Sequence, residues 1–223
     1  MYRVFLTSVS ILAALAIRPL PAAADASLTK PAALTAQAPA RYNAVFDTTA
    51  GRFVVAVTRS WAPRGADRFY NLVKHGFFNG AAFFRVVPGF VVQFGLNPSP
   101  AVDKAWNSAS IPDDPVKQSN RAGYVSFASA GPNTRTTQVF INFGDNSRLD
   151  RMGFAPFGKV ASGMNVVLKI YSGYGEQPSQ DEIGAEGKAY LDKSFPNLDR
   201  ITSAKIEAAA STPSPHPKPA HTP

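Results

Sequence analysis

Short apolar runs rich in β-branched and aromatic residues recur along most of the chain, and most are followed within a few residues by Gly, Pro or Asn. Such runs are typical of strands, and the residues that follow them are typical of turns. We therefore expect eight strands, over residues 42–47, 52–58, 83–87, 90–94, 124–128, 138–142, 157–160 and 201–206. Because a sheet closed on itself has no unpaired edge, this many short strands in one domain favours a barrel.

Two amphipathic patterns lie among these strands. The first begins at Pro63, whose missing N–H is no loss in a first helical turn, and ends near Gly76. The second follows Ser162, a favourable N-cap. The sequence thus predicts a mainly β fold, a closed antiparallel eight-stranded β-barrel capped by two α-helices. A further helix is expected over residues 186–193, and residues 95–121 are expected to form a long polar loop.

The chain contains no Cys and only three His, namely His75, His216 and His221. These counts exclude disulfides and thiol nucleophiles, and they leave too few imidazoles in the folded part for a zinc hydrolase. His75 falls in the last turn of the first predicted helix, where a partly positive ring suits the carbonyl end. We favour a structural role for His75 over a catalytic one, and we expect neither a metal nor a cofactor.

The formal net charge is +8, which is compatible with binding to nucleic acid or to an anionic membrane surface. However, no two Lys or Arg residues are adjacent anywhere in the chain, whereas phosphate-binding surfaces usually cluster such charge. The sequence therefore favours a solvated basic surface and no nucleic-acid partner. Binding that survives moderate salt would be needed to support the alternative.

The first residues resemble an export signal. Arg3 precedes an apolar run over residues 4–17, and a small-residue site, Ala-Ala-Ala, follows at 22–24. This order is typical of a secretory signal peptide, and the run is short for a membrane span. We expect an exported protein, most simply periplasmic, with secretion as a second outcome and no membrane insertion after cleavage. An uncleaved anchor is the alternative.

The rest of the chain divides by composition. Residues 1–24 are the expected signal peptide, and residues 25–40, rich in Ala, Pro and Thr, are expected to form a flexible linker. Residues 41–208 are expected to form one domain, with an extension of unassigned role from about residue 175. Residues 209–223 are expected to form a disordered Pro-rich tail.

One segment carries a cation among apolar residues. The sequence FFRVVPGFVVQ, at 83–93, contains Arg85 as its only charged residue. A guanidinium stays protonated at any working pH, so on a strand of buried type it needs a partner or a position at the mouth of a pocket. One interpretation of Gln93, at the end of this segment, is that its amide satisfies a buried backbone group.

Further blocks follow in order. They are SFASAGPNT at 126–134, TQVFI at 137–141, Leu149-Asp150, and FGKVASGMNVV at 157–167, and FYNLVKHGFFNG precedes them all at 69–80. In this order and spacing the blocks resemble the cyclophilin family of peptidyl-prolyl isomerases. The resemblance covers residues 42 to about 171 and implies a cyclophilin-like barrel of eight strands and two helices.

The resemblance also implies an activity and a site. The activity is acceleration of X-Pro rotation in folding or extended polypeptides, without a cofactor. Arg85 falls on the family's catalytic arginine, and Gln93 falls on a glutamine that helps to orient it. The expected substrate-binding residues are Phe90, Val91, Ala128, Ser129, Gln138, Phe140, Leu149 and Phe154. The partners implied are Pro-containing polypeptides, and the protein is expected to be a monomer.

Several positions depart from the family pattern. Phe84 replaces the family's His, Arg148 replaces a Trp that helps to bind cyclosporin, and Phe154 or Gly153 falls where the family has a pocket His. We therefore expect weak cyclosporin binding. The altered region keeps a second hypothesis open, in which a cyclophilin-like module binds proline segments or acts like a chaperone without turnover.

Overall fold

The computed structural model of the protein describes residues 26–209. The eight strands are β1 (Arg41–Thr48), β2 (Gly51–Thr58), β3 (Arg85–Val87), β4 (Val91–Phe94), β5 (Tyr124–Phe127), β6 (Val139–Asn142), β7 (Pro156–Ser162) and β8 (Ile201–Ala208). The α-helices are α1 (Pro63–Lys74), α2 (Pro100–Trp106), α3 (Met164–Val167), α4 (Gln180–Glu186) and α5 (Lys188–Ser194). Short 3-10 helices cover Ala26–Thr29, Pro31–Ala33 and Ser147–Met152. In this part of the chain, no helix is long and apolar enough to cross a membrane.

The eight strands form one antiparallel sheet in the order β3–β4–β6–β5–β7–β2–β1–β8. Backbone hydrogen bonds join the segment just before β3 to residues at the start of β8, and these are the two outermost strands. The N–H of Gly80 donates to the carbonyl of Ile201 at 2.7 Å, and the N–H of Phe83 donates to the carbonyl of Asp199 at 3.0 Å. The two ends of the curled sheet therefore meet at these bonds, although β3 and β8 share no ladder. The predicted mainly β fold of eight antiparallel strands is confirmed, with the sheet curled into a half-barrel.

Aromatic rings fill the main core. The rings of Phe46 and Phe53, from β1 and β2, are stacked with centroids 4.9 Å apart. Phe69 on α1 lies 4.8 Å from Phe157 on β7, and all four side chains are fully buried. Helix α1 thus closes one side of the core with its apolar face. His75 is the C-cap residue of α1, in the structural position expected for it.

The helices differ from the predictions in three places. The helix expected after Ser162 is a single turn, because β7 extends to Ser162 and Gly163 takes a left-handed φ of 79° before α3 begins. The helix expected over 186–193 is two helices, α4 and α5, separated at Gly187. The long loop contains α2, which begins at Pro100 and buries the Trp106 side chain.

The flexible linker predicted over residues 25–40 is wrong for the described part of that segment. Leu28, Leu34 and Ala38 are buried, and the Trp106 indole donates to the carbonyl of Leu28 at 2.8 Å. Asn71 on α1 exchanges two hydrogen bonds with the backbone of residue 36. Buried leucines and paired backbone groups fix the segment against the domain. The predicted signal peptide, residues 1–24, lies outside the described residues, and so does the predicted Pro-rich tail, residues 209–223, apart from residue 209.

Candidate active site

Strand register brings the predicted site residues from separate blocks onto one face. Arg85 on β3 pairs with Gln93 on β4, and Gln93 pairs with Phe140 on β6. Residues directly opposite each other in neighbouring strands point to the same face of a sheet. Their chain neighbours, such as Val86 and Val92, belong to the main core instead. The alternation of each strand therefore separates a core face from a site face.

A cavity of about 680 Å³ opens on the site face. Every residue predicted for the site lines it, and these residues are Arg85, Phe90, Val91, Gln93, Ala128, Ser129, Gln138, Phe140, Leu149 and Phe154. The cavity also has lining residues that the sequence did not indicate. They are Asn107, Ala130, Thr134, Thr136, Met152 and Gln180.

The floor of the cavity is apolar. Val91, Phe140 and Leu149 are buried there as a cluster separate from the main core, with Phe90, Ala128 and Phe154 packed against it. The rings of Phe140 and Phe154 meet edge to face at 5.6 Å. A concave apolar floor of this kind suits a small aliphatic ring. Of the two residues considered for the family's pocket His, Phe154 is the one that lines the cavity.

Arg85 occupies the polar rim of the cavity, with 26% of its side chain exposed. Its Nη1 donates to Gln93 Oε1 at 3.2 Å, and its Nε donates to Glu176 Oε1 at 2.6 Å. Its guanidinium carbon also lies 5.6 Å from the centre of the Phe90 ring. The sequence left open whether this cation has a partner or lies at a pocket mouth, and the structure provides both.

A chain of side-chain hydrogen bonds continues from the arginine. Gln93 Nε2 donates to Gln138 Oε1 at 2.7 Å, so Gln93 links Arg85 to the residue just before β6. Gln93 is 7% exposed, and both ends of its amide have side-chain partners. This pairing favours the orienting role predicted for Gln93 over simple satisfaction of a buried backbone group. The N–H of Ala128 donates to the carbonyl of Gln138 at 2.9 Å, which anchors the segment carrying Ser129.

A buried polar network supports the wall that carries Leu149 and Phe154. Asp150 accepts hydrogen bonds from Ser119 Oγ and from the N–H and the Nδ2 of Asn120. Burial acts to raise the pKa of Asp150, but these hydrogen bonds together outweigh it and lower the pKa. Asn120 Nδ2 also donates to the carbonyl of Phe154 at 2.8 Å. The network therefore fixes the backbone on which the apolar wall is carried.

A second amide in this network reaches the floor itself. Asn146 Nδ2 donates to the carbonyl of Phe90 at 2.9 Å and to Asn142 Oδ1 at 2.9 Å. Asn120, Asn142 and Asn146 are nearly inaccessible to solvent. Sequence reasoning missed these residues, because an asparagine near a turn is more often exposed and local pattern does not separate the two cases.

Glu176 is a further residue that the sequence did not indicate. It belongs to the extension of unassigned role and reaches the rim from outside the strand blocks. Among the described residues, no group of three or more His, Cys, Asp or Glu could hold a metal ion. The cavity itself offers a cation, amide and hydroxyl groups, and an apolar floor.

Comparisons with known proteins point to one family. The model of the family described as cyclophilin type peptidyl-prolyl cis-trans isomerase/CLD matches residues 44–186. Peptidyl-prolyl cis-trans isomerase A of Dickeya dadantii is 38% identical over 128 residues, which are 55% of this chain and 67% of that protein. A probable peptidyl-prolyl cis-trans isomerase of Brucella abortus is 34% identical over 201 residues, which are 85% of this chain and 95% of that protein.

Solved structures agree on the fold. A cyclophilin type peptidyl-prolyl cis-trans isomerase of Cryptosporidium parvum has a TM-score of 0.57 at 19% identity, over 76% of this chain and 99% of that chain. A second structure of that protein, determined in the presence of the dipeptide Ala-Pro, has a TM-score of 0.56 at 20% identity, over 75% of this chain and 99% of that chain.

Proposed function

The chain belongs to the family of cyclophilin-type peptidyl-prolyl cis-trans isomerases, and from this premise we propose how it accelerates X-Pro rotation. The proline ring of a polypeptide substrate binds on the apolar floor around Phe140. The guanidinium of Arg85 donates a hydrogen bond to the prolyl nitrogen while the imide is twisted. The observation that carries the proposal is the position of Arg85 on the rim of the cavity whose floor Val91, Phe140 and Leu149 form.

The reaction itself requires little covalent chemistry. Rotation about a peptide bond costs about 20 kcal/mol, because amide resonance must be broken. The prolyl nitrogen has a free lone pair only when conjugation is lost, so a donor at that nitrogen binds the twisted state more tightly than either planar state. Such differential binding lowers the barrier. A nucleophile, a metal or a general base is not needed.

The rim can supply that donor. A guanidinium has five N–H groups. Glu176 accepts from the edge of Arg85 that Nε and Nη2 form, and Gln93 accepts from one N–H of Nη1. At least two N–H groups are left for a substrate. A guanidinium is a charged donor, and its N–H groups form stronger hydrogen bonds than neutral ones do.

Other lining residues hold the substrate beside the donor. Gln93 and Gln138 form the hydrogen-bonded row that fixes the guanidinium, and Ser129 provides backbone groups along the cavity. Phe90 and Phe154 complete the apolar walls. The substrates that fit are Pro-containing segments in extended or incompletely folded polypeptides, taken up by a monomer of this chain.

The test is cis/trans exchange of a short Ala-Pro peptide, measured by NMR. We expect Arg85→Ala to lower kcat/KM at least about tenfold, since tenfold corresponds to about 1.4 kcal/mol of transition-state stabilisation. The wild-type rate should be nearly flat through neutral pH. Arg52→Ala is the matched control, because Arg52 is an exposed arginine paired with Asp47 on the β1–β2 hairpin. A full rate in Arg85→Ala would remove the mechanism.

Binding measured on the same samples separates the second hypothesis. Peptide binding by the wild type without any acceleration of exchange would favour a non-catalytic proline-binding module. Family membership makes acceleration the expected result.

We also propose that the protein is exported, most simply to the periplasm. The support is the order of Arg3, the apolar run over 4–17 and the small residues at 22–24. The expected mature chain begins at Asp25, which intact mass of the exported protein measures. A full-length chain retained in the cytoplasm or the inner membrane would contradict this proposal.

A further inference from the structure

The extension between α3 and β8 packs against the outside of the barrel. Ile183, Leu191 and Leu198 of the extension are buried against Ala82 and Phe84, in a cluster separate from the main core. Phe84 is the residue immediately before Arg85, and the two side chains point to opposite sides of the chain. The aromatic ring at position 84 therefore anchors the extension, while Arg85 reaches the cavity.

A backbone hydrogen bond fixes the extension beside the arginine. The N–H of Val86 donates to the carbonyl of Gly175 at 3.0 Å, on the edge of β3 that has no partner strand. Gly175 closes a turn through its N–H to the carbonyl of Ser172 and has a left-handed φ of 55°. Glycine adopts this conformation without the cost that a side chain adds. The next residue, Glu176, is thereby placed next to Arg85.

The contact between Glu176 and Arg85 leaves the donor side of the cation available. Glu176 Oε1 lies 2.6 Å from Arg85 Nε and 2.5 Å from Nη2, so one carboxylate oxygen engages one edge of the guanidinium. Gln93 accepts from Nη1 on the other side. Glu176 is 61% exposed, whereas Arg85 is 26% exposed. The acid therefore approaches from solvent and does not fill the cavity, whose lining does not include it.

We propose that Glu176 is a positioning residue for Arg85 in prolyl isomerisation. An arginine side chain has several freely rotating bonds, so holding it in one orientation costs conformational entropy. Contacts that already hold the side chain in the free enzyme remove this cost from the catalytic step. Glu176, Gln93 and the Phe90 ring hold the guanidinium in one orientation over the floor. The extension thus completes the active site, and its role rests on the proposed function of Arg85.

The opposite effect, in which the acid competes with substrate for the guanidinium, fits the geometry less well. Competition requires the acceptor to occupy the N–H groups that face the cavity. Here the acceptor takes the Nε edge and lies outside the cavity lining. The substrate imide is neutral, so pairing Arg85 with an acid removes no ionic attraction between enzyme and substrate. The N–H groups that Glu176 leaves free remain donors on a charged guanidinium.

The experiment is exchange kinetics on the full chain with Glu176→Ala, Glu176→Gln and a control, Glu186→Ala. Glu186 is an exposed acid on α4 of the same extension that does not line the cavity. We expect Glu176→Ala to lower kcat about fivefold with KM nearly unchanged, the pattern of an interaction that matters in the transition state. Glu176→Gln keeps an acceptor oxygen and should recover part of the loss. Glu186→Ala should match the wild type.

A double-mutant cycle separates positioning from a structural role. If Glu176 acts through Arg85, Glu176→Ala should change the residual rate of Arg85→Ala by less than about twofold. The same fractional loss in both backgrounds would overturn the proposal, as would a wild-type or faster rate in Glu176→Ala alone. A full rate in Arg85→Ala is a different result, because it would remove the proposed function itself.

Discussion

At the residue scale, two adjacent side chains on the segment entering β3 serve different clusters. Phe84 is 2% exposed and packs with the extension, whereas Arg85 lies on the rim of the cavity. Strand alternation places consecutive side chains on opposite faces. Phe84 stands where the family has His, and its contact with Leu191 and the neighbouring apolar residues of the extension explains the phenylalanine. The sequence pattern alone did not reveal this contact.

Phe154 provides a test of the apolar wall. Truncation by Phe154→Ala removes the ring that meets Phe140 edge to face, while the hydrogen bond from Asn120 to the backbone of residue 154 is retained. We expect KM for an Ala-Pro peptide to rise about threefold to tenfold, since partial loss of an aromatic contact corresponds to roughly 1 kcal/mol. Steady-state exchange kinetics measures this change.

The control for this substitution is Leu168→Ala, because Leu168 is 58% exposed and does not line the cavity. An unchanged KM in Phe154→Ala would contradict the assignment of Phe154 to the proline-binding wall. A fall in kcat alone would also contradict it, since the ring is expected to act in binding.

At the scale of elements, strands were predictable and short helices were not. All eight strands lie within a few residues of their predicted bounds, because alternation and the turn at Pro88-Gly89 are local signals. The second predicted helix is only the turn Met164–Val167, since β7 continues through Ser162 in pairing with β2. The pairing of β7 with β2, which residues distant in sequence provide, thus decided where α3 begins.

The segment before β1 also shows that local sequence does not predict contacts with distant parts of the chain. Its Ala-, Pro- and Thr-rich composition is typical of a linker, yet Leu28 and Leu34 are buried against the domain. The partners of this segment are Asn71 on α1 and Trp106 on α2, which are distant in sequence. Composition measures how a segment behaves alone, and it carries no information about a complementary surface elsewhere.

At the scale of the whole molecule, one buried carboxyl couples stability to pH. Asp103 on α2 is 2% exposed, and its Oδ1 accepts from the N–H of Asn97 at 2.7 Å. Its Oδ2 has no hydrogen-bond partner within the part of the chain that the structure describes. Burial raises the pKa of Asp103 to about 7, and the hydrogen bond from Asn97 only partly opposes this rise.

The raised pKa predicts the direction of the pH dependence. The unfolded chain loses the Asp103 proton near pH 4, whereas the folded chain keeps it until about pH 7. The stabilising contribution is therefore complete below pH 4 and is lost as pH rises to about 7. We expect Asp103→Asn to raise the free energy of unfolding at pH 8 by about 1 to 4 kcal/mol relative to wild type, with little difference at pH 4.

Urea denaturation at pH 4, 6 and 8 measures this effect, with Asp181→Asn on the exposed surface of α4 as the control. The pKa values of other carboxyls, such as Asp47 and Asp150, are lowered, and these groups lose their stabilising contribution only as the pH falls below about 4. Their contribution therefore changes little between pH 4 and pH 8. An equal difference between Asp103→Asn and wild type at all three pH values would contradict the prediction.

The sequence by itself determined the strands, the residues on the site face and the family, because alternation, turn residues and ordered motifs are local properties of the chain. Arg85, Gln93 and Phe140 could be assigned in this way. Only the tertiary structure decided which distant segments meet: the extension that brings Glu176 to Arg85, the asparagine network under Phe154, and the first segment packed on α1 and α2. These contacts join segments that are distant in sequence, and no local pattern encodes them.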